Sequence, residues 1–167
     1  ENKEMLAKFI RKEVTEEEFV LDDIRLWREV QPEIHRDDIM RCYSGIKLMP
    51  GAREVVKELQ NRGVLVAIVS SGVDLLIGSI ANMLKVDDWA ANGFDWDEEG
   101  WLIGSKPTVV QSHDKGITVE KFARINSIDP ENIVSVGDSG PDLSMMIPGS
   151  RFIGFNPAPN RGAEDFV

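Results

Sequence analysis

The chain has little of several things, and each shortage excludes something. One cysteine, Cys42, stands among 167 residues, so no intrachain disulfide can form. Set in a helical pattern between Met40 and Tyr43, it reads as a packed thiol. There are only two histidines, His35 and His113, and they carry no metal spacing. His35 reads as a solvated helix residue. His113 lies two residues before Lys115, within reach of a ligand there, although surface placement is the plainer reading. Basic residues are scarce: 19 Lys and Arg stand against 29 Asp and Glu, a net charge of −10. With an isoelectric point near 4.7, the chain is poorly suited to nucleic acid or to an anionic membrane surface. No apolar run reaches the ~20 residues that span a bilayer, and no signal peptide is visible. The expected location is therefore cytoplasmic. There is no internal repeat and no low-complexity stretch. What remains, 42% hydrophobic residues, is enough for one core domain with a small appendage.

The most informative stretch that is present is 133–142. The run Ile133, Val134, Ser135, Val136 ends abruptly in Gly137 and Asp138, and a second carboxylate, Asp142, follows four residues later. In an α/β protein this is a buried parallel strand delivering Asp138 to the carboxyl edge of the sheet, where such folds bind ligands. Two acids one turn apart at that junction suit a hard cation such as Mg²⁺, which takes oxygen ligands. An alternative stays open: Asp138 or Ser139 could cap the next helix.

Two other segments point to the same edge. The apolar run 64–69 leads into Ser70, Ser71 and Gly72, and a helical pattern follows over 73–84. A hydroxyl and free backbone N–H groups at a helix start can hold a phosphate. Ser-Ser-Gly is also ordinary turn chemistry. Further on, Asp114, Lys115 and Gly116 open a helical pattern that runs to about Asn126. A lysine at a helix start opposes the macrodipole, which hints at another task, although a solvated lysine is the simpler reading of that residue alone.

Taken in order, strand–Ser70, Lys115–Gly116–helix and strand–Gly137–Asp138…Asp142 resemble motifs II, III and IV of the haloacid dehalogenase (HAD) superfamily. The stretch 50–63 before the Ser70 strand, and 91–100 after it, are similar to the phosphoserine-phosphatase branch. The resemblance covers about residues 50–155 strongly and the first fifty more loosely. It implies an α/β fold, a doubly wound parallel sheet with a small helical cap domain. It also implies Mg²⁺-dependent hydrolysis of a small phosphorylated metabolite through an aspartyl-phosphate. By the resemblance, Ser70 hydrogen-bonds a phosphate oxygen, with Ser71 and Gly72 beside it. Lys115 neutralises the phosphoryl group, Asp138 binds Mg²⁺, and Asp142 supports that metal site. A homodimer is a possible assembly.

One element of the family pattern is missing. Such phosphatases carry Asp-x-Asp-x-(Thr/Val) on a first strand near the N-terminus, with the nucleophile as its first Asp. This chain opens on a polar helical pattern, and its single Asp-x-Asp is Asp95-Trp96-Asp97. That triplet, followed by Glu98, Glu99 and Gly100, reads as a hairpin tip and not as a nucleophile site. A sheet without its central strand would leave buried backbone groups unpaired at about 1–3 kcal/mol each, against a net stability of about 5–15 kcal/mol. A segment ahead of Glu1 is therefore expected, and the pattern over 162–167 also stops midway. The competing reading is a catalytically inactive HAD-like binding or scaffolding protein.

The expected domain division falls at Pro50. Residues 1–49 read as a helical cap, with a capping box at Thr15 and Glu18, a helix ended by Pro32, and another over 33–43. Residues 50–167 alternate strands and helices, as a doubly wound core does. Phosphoserine phosphatases also place a cap-helix arginine against the substrate carboxylate. Aligning on residues 15–19 puts Asp23 near that position, with Arg25 a helix step away. The family further prefers Asn before the second motif IV acid, where this chain has Pro141. Both departures argue against phosphoserine as the preferred substrate.

Overall fold

The computed structural model describes residues 3–157; the pattern over 162–167 lies outside them. Helices and strands are interspersed after Pro50, with three strands in succession between two helices, as in a mixed α/β chain. Contacts group the chain into two compact units, one formed by the described residues through Ile68 together with Gly72–Thr108, the other by Val69–Ser71 and the residues from Val109 onward.

The first unit starts with α1 (Lys3–Ile10), α2 (Glu16–Val30) and α3 (Arg36–Cys42). Thr15 and Glu18 form the expected capping box: Thr15 Oγ1 accepts from the Glu18 N–H at 3.2 Å, and the Glu18 carboxylate accepts from the Thr15 N–H at 2.7 Å. α2 stops at Val30, two residues before Pro32, as a following proline dictates. α3 begins later than the pattern suggested, because His35 is its cap and not a solvated helix residue. The His35 Nδ1 accepts from the Asp37 N–H at 3.2 Å, while Nε2 lies 2.9 Å from the Glu99 carbonyl. That pairing places the ring proton on Nε2.

α4 (Ala52–Asn61) ends in a turn at Gly63, whose φ of +78° favours glycine. α5 (Asp74–Leu84) and three strands complete this unit: β2 (Asp88–Asn92), β3 (Phe94–Trp96) and β4 (Leu102–Ser105). β3 and β4 pair antiparallel, with Phe94 opposite Ser105. This is the hairpin expected around Asp95 and Asp97. Asp97 Oδ1 accepts from the N–H groups of Glu99 and Trp101 at 3.0 and 2.8 Å, so the acid builds the turn. Ile24 of α2 and Ile34 bury against Phe94 and Leu102 of the hairpin, with Val20, Ile39 and Trp96 around them. The apolar face of α2 is thus spent on the hairpin.

β1 (Ala67–Val73) lies next to β2. It starts three residues later than its apolar run. Asp87 is the reason: its carboxylate takes the Val66 N–H at 2.8 Å, and its own N–H goes to the Val66 carbonyl. Ser70, Ser71 and Gly72 are therefore the last part of a strand and not a turn.

The second unit holds α6 (Gly116–Ile125), β5 (Val134–Gly137), a 3-10 helix over Gly140–Met145, and β6 (Arg151–Gly154). β5 and β6 pair in parallel, Val134 opposite Arg151 through Gly137 opposite Gly154. Among the described residues the strands form three two-stranded sheets. β5 differs from the doubly covered strand its apolar run suggested. Ser135 is buried, donating to the Met145 carbonyl at 3.1 Å, whereas Val134 and Val136 are 45% and 55% exposed. Among the described residues, the face under the 3-10 helix is the packed one. That face joins Val119 of α6, Met145 and Ile147, with Val69, Ile133 and Phe152 at its margin.

Candidate active site

The second unit contains five of the residues singled out from sequence: Ser70, Ser71, Lys115, Asp138 and Asp142. Val69, in the middle of β1, packs against the cluster of Val119, Met145 and Ile147, and Ser70 and Ser71 follow it directly in the chain. Both serines are half-buried, and Gly72, exposed, groups with the first unit. Asp138 follows Gly137 at the carboxyl end of β5 and is exposed.

The centre of the arrangement is Asp142, 7% exposed. Its Oδ1 lies 2.6 Å from the Lys115 ammonium. Its Oδ2 accepts from the N–H groups of Asp138 and Ser139, each at 3.1 Å, and from the Ser139 hydroxyl at 2.8 Å. Burial pushes this carboxyl up. The Lys115 and Ser139 hydrogen bonds, the Lys115 charge and the Asp138 N–H outweigh it and hold the group below the ordinary carboxylate range. The capping alternative raised by the sequence is realised on Ser139. Ser139 is the N-cap of the 3-10 helix, and Asp142 reaches back to it from the first turn. Asp138 is not the cap. Its side chain stands at the solvent-exposed edge, while its N–H anchors Asp142.

Lys115 is not a solvated lysine. It is 8% exposed, and its side chain is spent on Asp142. Its ammonium is held at the strand edge by a carboxylate, where an anion could share it. His113, two residues earlier, is half-buried. Among the described residues no group of three or more His, Cys, Asp and Glu clusters as a metal cage. Mg²⁺ does not need one, because it commonly takes one or two carboxylates and completes its shell with water and phosphate oxygens. Asp138 fits that use. Asp142 does so only from behind, since both its oxygens already accept hydrogen bonds from the chain.

Gly137 is required by close approach. A Cβ built there would overlap the Asp142 carboxyl group. Gly137→Ala is expected to cost about 1–3 kcal/mol, the usual cost of overpacking, and to displace Asp142 from Lys115. Urea denaturation checks it, and an unchanged midpoint would contradict the close packing.

The selectivity candidates lie on α2 in the first unit. Burial, and then the neighbouring Asp22 charge, push the half-buried Asp23 carboxyl up. Arg25 is exposed and engaged on its own helix, with Asp22 at 2.9 Å and Glu29 at 2.6 Å. The sequence reading missed Ser144. Its one signal was position, two residues after Asp142.

Residues 6–146 match the family model of haloacid dehalogenase-like hydrolases. A phosphoserine phosphatase of Archaeoglobus fulgidus is 33% identical over 148 residues, 88% of this chain and 42% of that protein. One from Methanocaldococcus jannaschii is 40% identical over 97 residues, 58% of this chain and 46% of that protein. The chain thus spans less than half the length of these two relatives. A solved structure described as a phospho-aspartyl intermediate analogue of phosphoserine phosphatase superimposes with a TM-score of 0.75 at 29% identity, covering 94% of this chain and 73% of that one. Among the described residues no helix is long and apolar enough to cross a membrane. With the family model spanning most of its length and a phosphoserine phosphatase 33% identical over 88% of it, the chain belongs to the haloacid dehalogenase-like hydrolases, on the side of the phosphoserine phosphatases.

Proposed function

We propose that this chain forms the phosphate-handling part of a Mg²⁺-dependent phosphomonoester hydrolase that works through an aspartyl-phosphate. The observation that carries the reading is the buried Lys115–Asp142 pair beside the exposed Asp138 at the end of β5. In this reading Ser70 donates its hydroxyl to a phosphate oxygen, with Ser71 next to it in the chain. Lys115, aimed by Asp142, balances the charge that builds on the phosphoryl group. Asp138 is the carboxylate that would hold Mg²⁺, and Asp142 orients that residue through its N–H. The cation supplies Lewis-acid polarisation of the phosphoryl oxygens. Residues 1–49 serve as a helical cap and 50–167 as the core, and the substrate is a small phosphorylated metabolite. Asp95 and Asp97 take no part, since Asp97 is spent on the hairpin turn.

Selectivity is the finer part of the reading. Asp23 in place of a carboxylate-gripping arginine would repel an α-carboxylate. Losing one charge-assisted bidentate pair costs roughly 1.5–3 kcal/mol, or about one to two powers of ten in kcat/KM. Phosphoserine is therefore expected not to lead a panel of phosphomonoesters assayed with the full-length gene product. If it leads tenfold or more and Arg25→Ala erases that lead, Arg25 is the gripping residue. A product that binds phosphate but turns over nothing on the panel would favour the inactive binding protein.

A further inference from the structure

We infer that Ser144 is a positioning residue for Lys115. The catalytic consequence rests on the function proposed above; the positioning itself does not.

Lys115 immediately precedes α6, and its side chain gives that helix no cap. The acceptor for its N–H comes instead from the 3-10 helix. Ser144 Oγ accepts that N–H at 2.9 Å. The same hydroxyl donates to the Pro141 carbonyl at 2.7 Å. A serine has one O–H, and here it is committed to Pro141, so a lone pair of Oγ is turned to Lys115. The orientation is determined from both sides. Ser144 also meets the next residue of α6: a Cβ built at Gly116 would lie 2.6 Å from the Ser144 carbonyl oxygen. The hydroxyl and the carbonyl of one serine are thus set against the first two residues at the head of α6.

The consequence lies at the other end of the lysine. Its ammonium reaches Asp142, two residues before Ser144 on the same 3-10 helix. A lysine side chain is long and flexible, and holding it in one geometry costs entropy. Asp142 holds the tip while Ser144 holds the root, and both belong to one short rigid turn. That turn is itself pinned from below by Ser135, whose hydroxyl donates to the Met145 carbonyl. Residues 135, 142 and 144 thus form one support, and the ammonium's place is set by it and not by the lysine's own preferences. Asp142 alone would fix the tip of the lysine and leave its backbone N–H without this acceptor.

The test uses the full-length gene product and has two readouts. The first is native-state acylation of lysines with an amine-reactive ester, quantified peptide by peptide. Ser144→Ala is expected to raise the labelling rate of Lys115 roughly fivefold, the opening that losing one ordinary hydrogen bond permits. The exposed Lys57 and Lys121 should keep their rates, and Ser144→Thr, which retains the hydroxyl, should stay near wild type. If Ser144→Ala labels every lysine faster, it has loosened the whole fold. Ser144→Cys, which keeps the shape and weakens the acceptor, then replaces it under the same criterion. The second readout is p-nitrophenyl phosphate hydrolysis in a double-mutant cycle. The loss caused by Ser144→Ala should fall mainly on kcat and should vanish in a Lys115→Met background, because a residue acting through Lys115 has nothing left to position. Unchanged Lys115 labelling, or the same fold loss in both backgrounds, overturns the proposal. A wild type without turnover counts against the proposed function instead, and the labelling result alone then decides Ser144.

Discussion

Asp138→Asn should lower phosphomonoester hydrolysis by the full-length gene product by about two to three powers of ten, the worth of several kcal/mol of transition-state charge stabilisation. The change swaps an anionic ligand for a neutral amide of the same shape. It leaves the Asp138 N–H on Asp142 in place, because that bond is made by backbone. Asp138 is exposed, so the folded state should tolerate the substitution, and circular dichroism and the melting temperature should change little. Loss of activity without loss of fold separates a ligand from a support. The same assay in EDTA is the companion measurement. Full activity in the chelator, or an Asp138→Asn variant that matches wild type, would sink the metal reading at this strand end.

How much of this was legible in the sequence differs from residue to residue. The Asp138 junction was plain, because a β-branched run that stops at Gly-Asp has few other meanings in an α/β chain. The hairpin at 94–105 was equally plain, from acids and a glycine between apolar residues. The start of β1 was not. Val64 and Leu65 are as apolar as Val69, and nothing in their pattern says that the Asp87 side chain, more than twenty residues away, takes the first N–H. His35 was misjudged because a histidine seldom caps a helix; its ring does so here by keeping Nδ1 as an acceptor. The covering of β5 was overestimated, because an apolar run reports what a strand can bury and not which of its faces is covered. Lys115 is the instructive case. Its unfavourable place at a helix start hinted at a role, but its burial comes from Asp142 and Ser144, twenty-seven and twenty-nine residues away. Long-range partners of this kind leave no periodicity to read.

Lys115→Met is expected to be the most destabilising single change in the second unit. The Lys115 and Asp142 side chains are each 10% exposed and their charges are 2.6 Å apart. Removing one member of a buried pair leaves the other charge uncompensated, at about 3–5 kcal/mol, a large share of a typical stability of about 5–15 kcal/mol. Methionine keeps most of the volume of the side chain, so a cavity contributes little and charge dominates. A second substitution separates the two. Asp142→Asn keeps an acceptor for the Ser139 and Asp138 donors but removes the stranded charge, so the double variant Lys115→Met, Asp142→Asn should be more stable than Lys115→Met alone. The pH dependence follows from the same pair. In the wild type the Asp142 carboxyl is held below its ordinary value, so its contribution is complete above that value and is lost as pH falls through the lowered one. Without the ammonium, burial meets less opposition, and the variant's folded state takes up a proton at higher pH than the wild type's. The variant therefore gains stability relative to wild type as pH falls from 7 toward 4, and the gap between their urea midpoints narrows. A gap that stays constant over that range, together with a double variant no better than Lys115→Met, would mean that packing and not charge holds Lys115 in place.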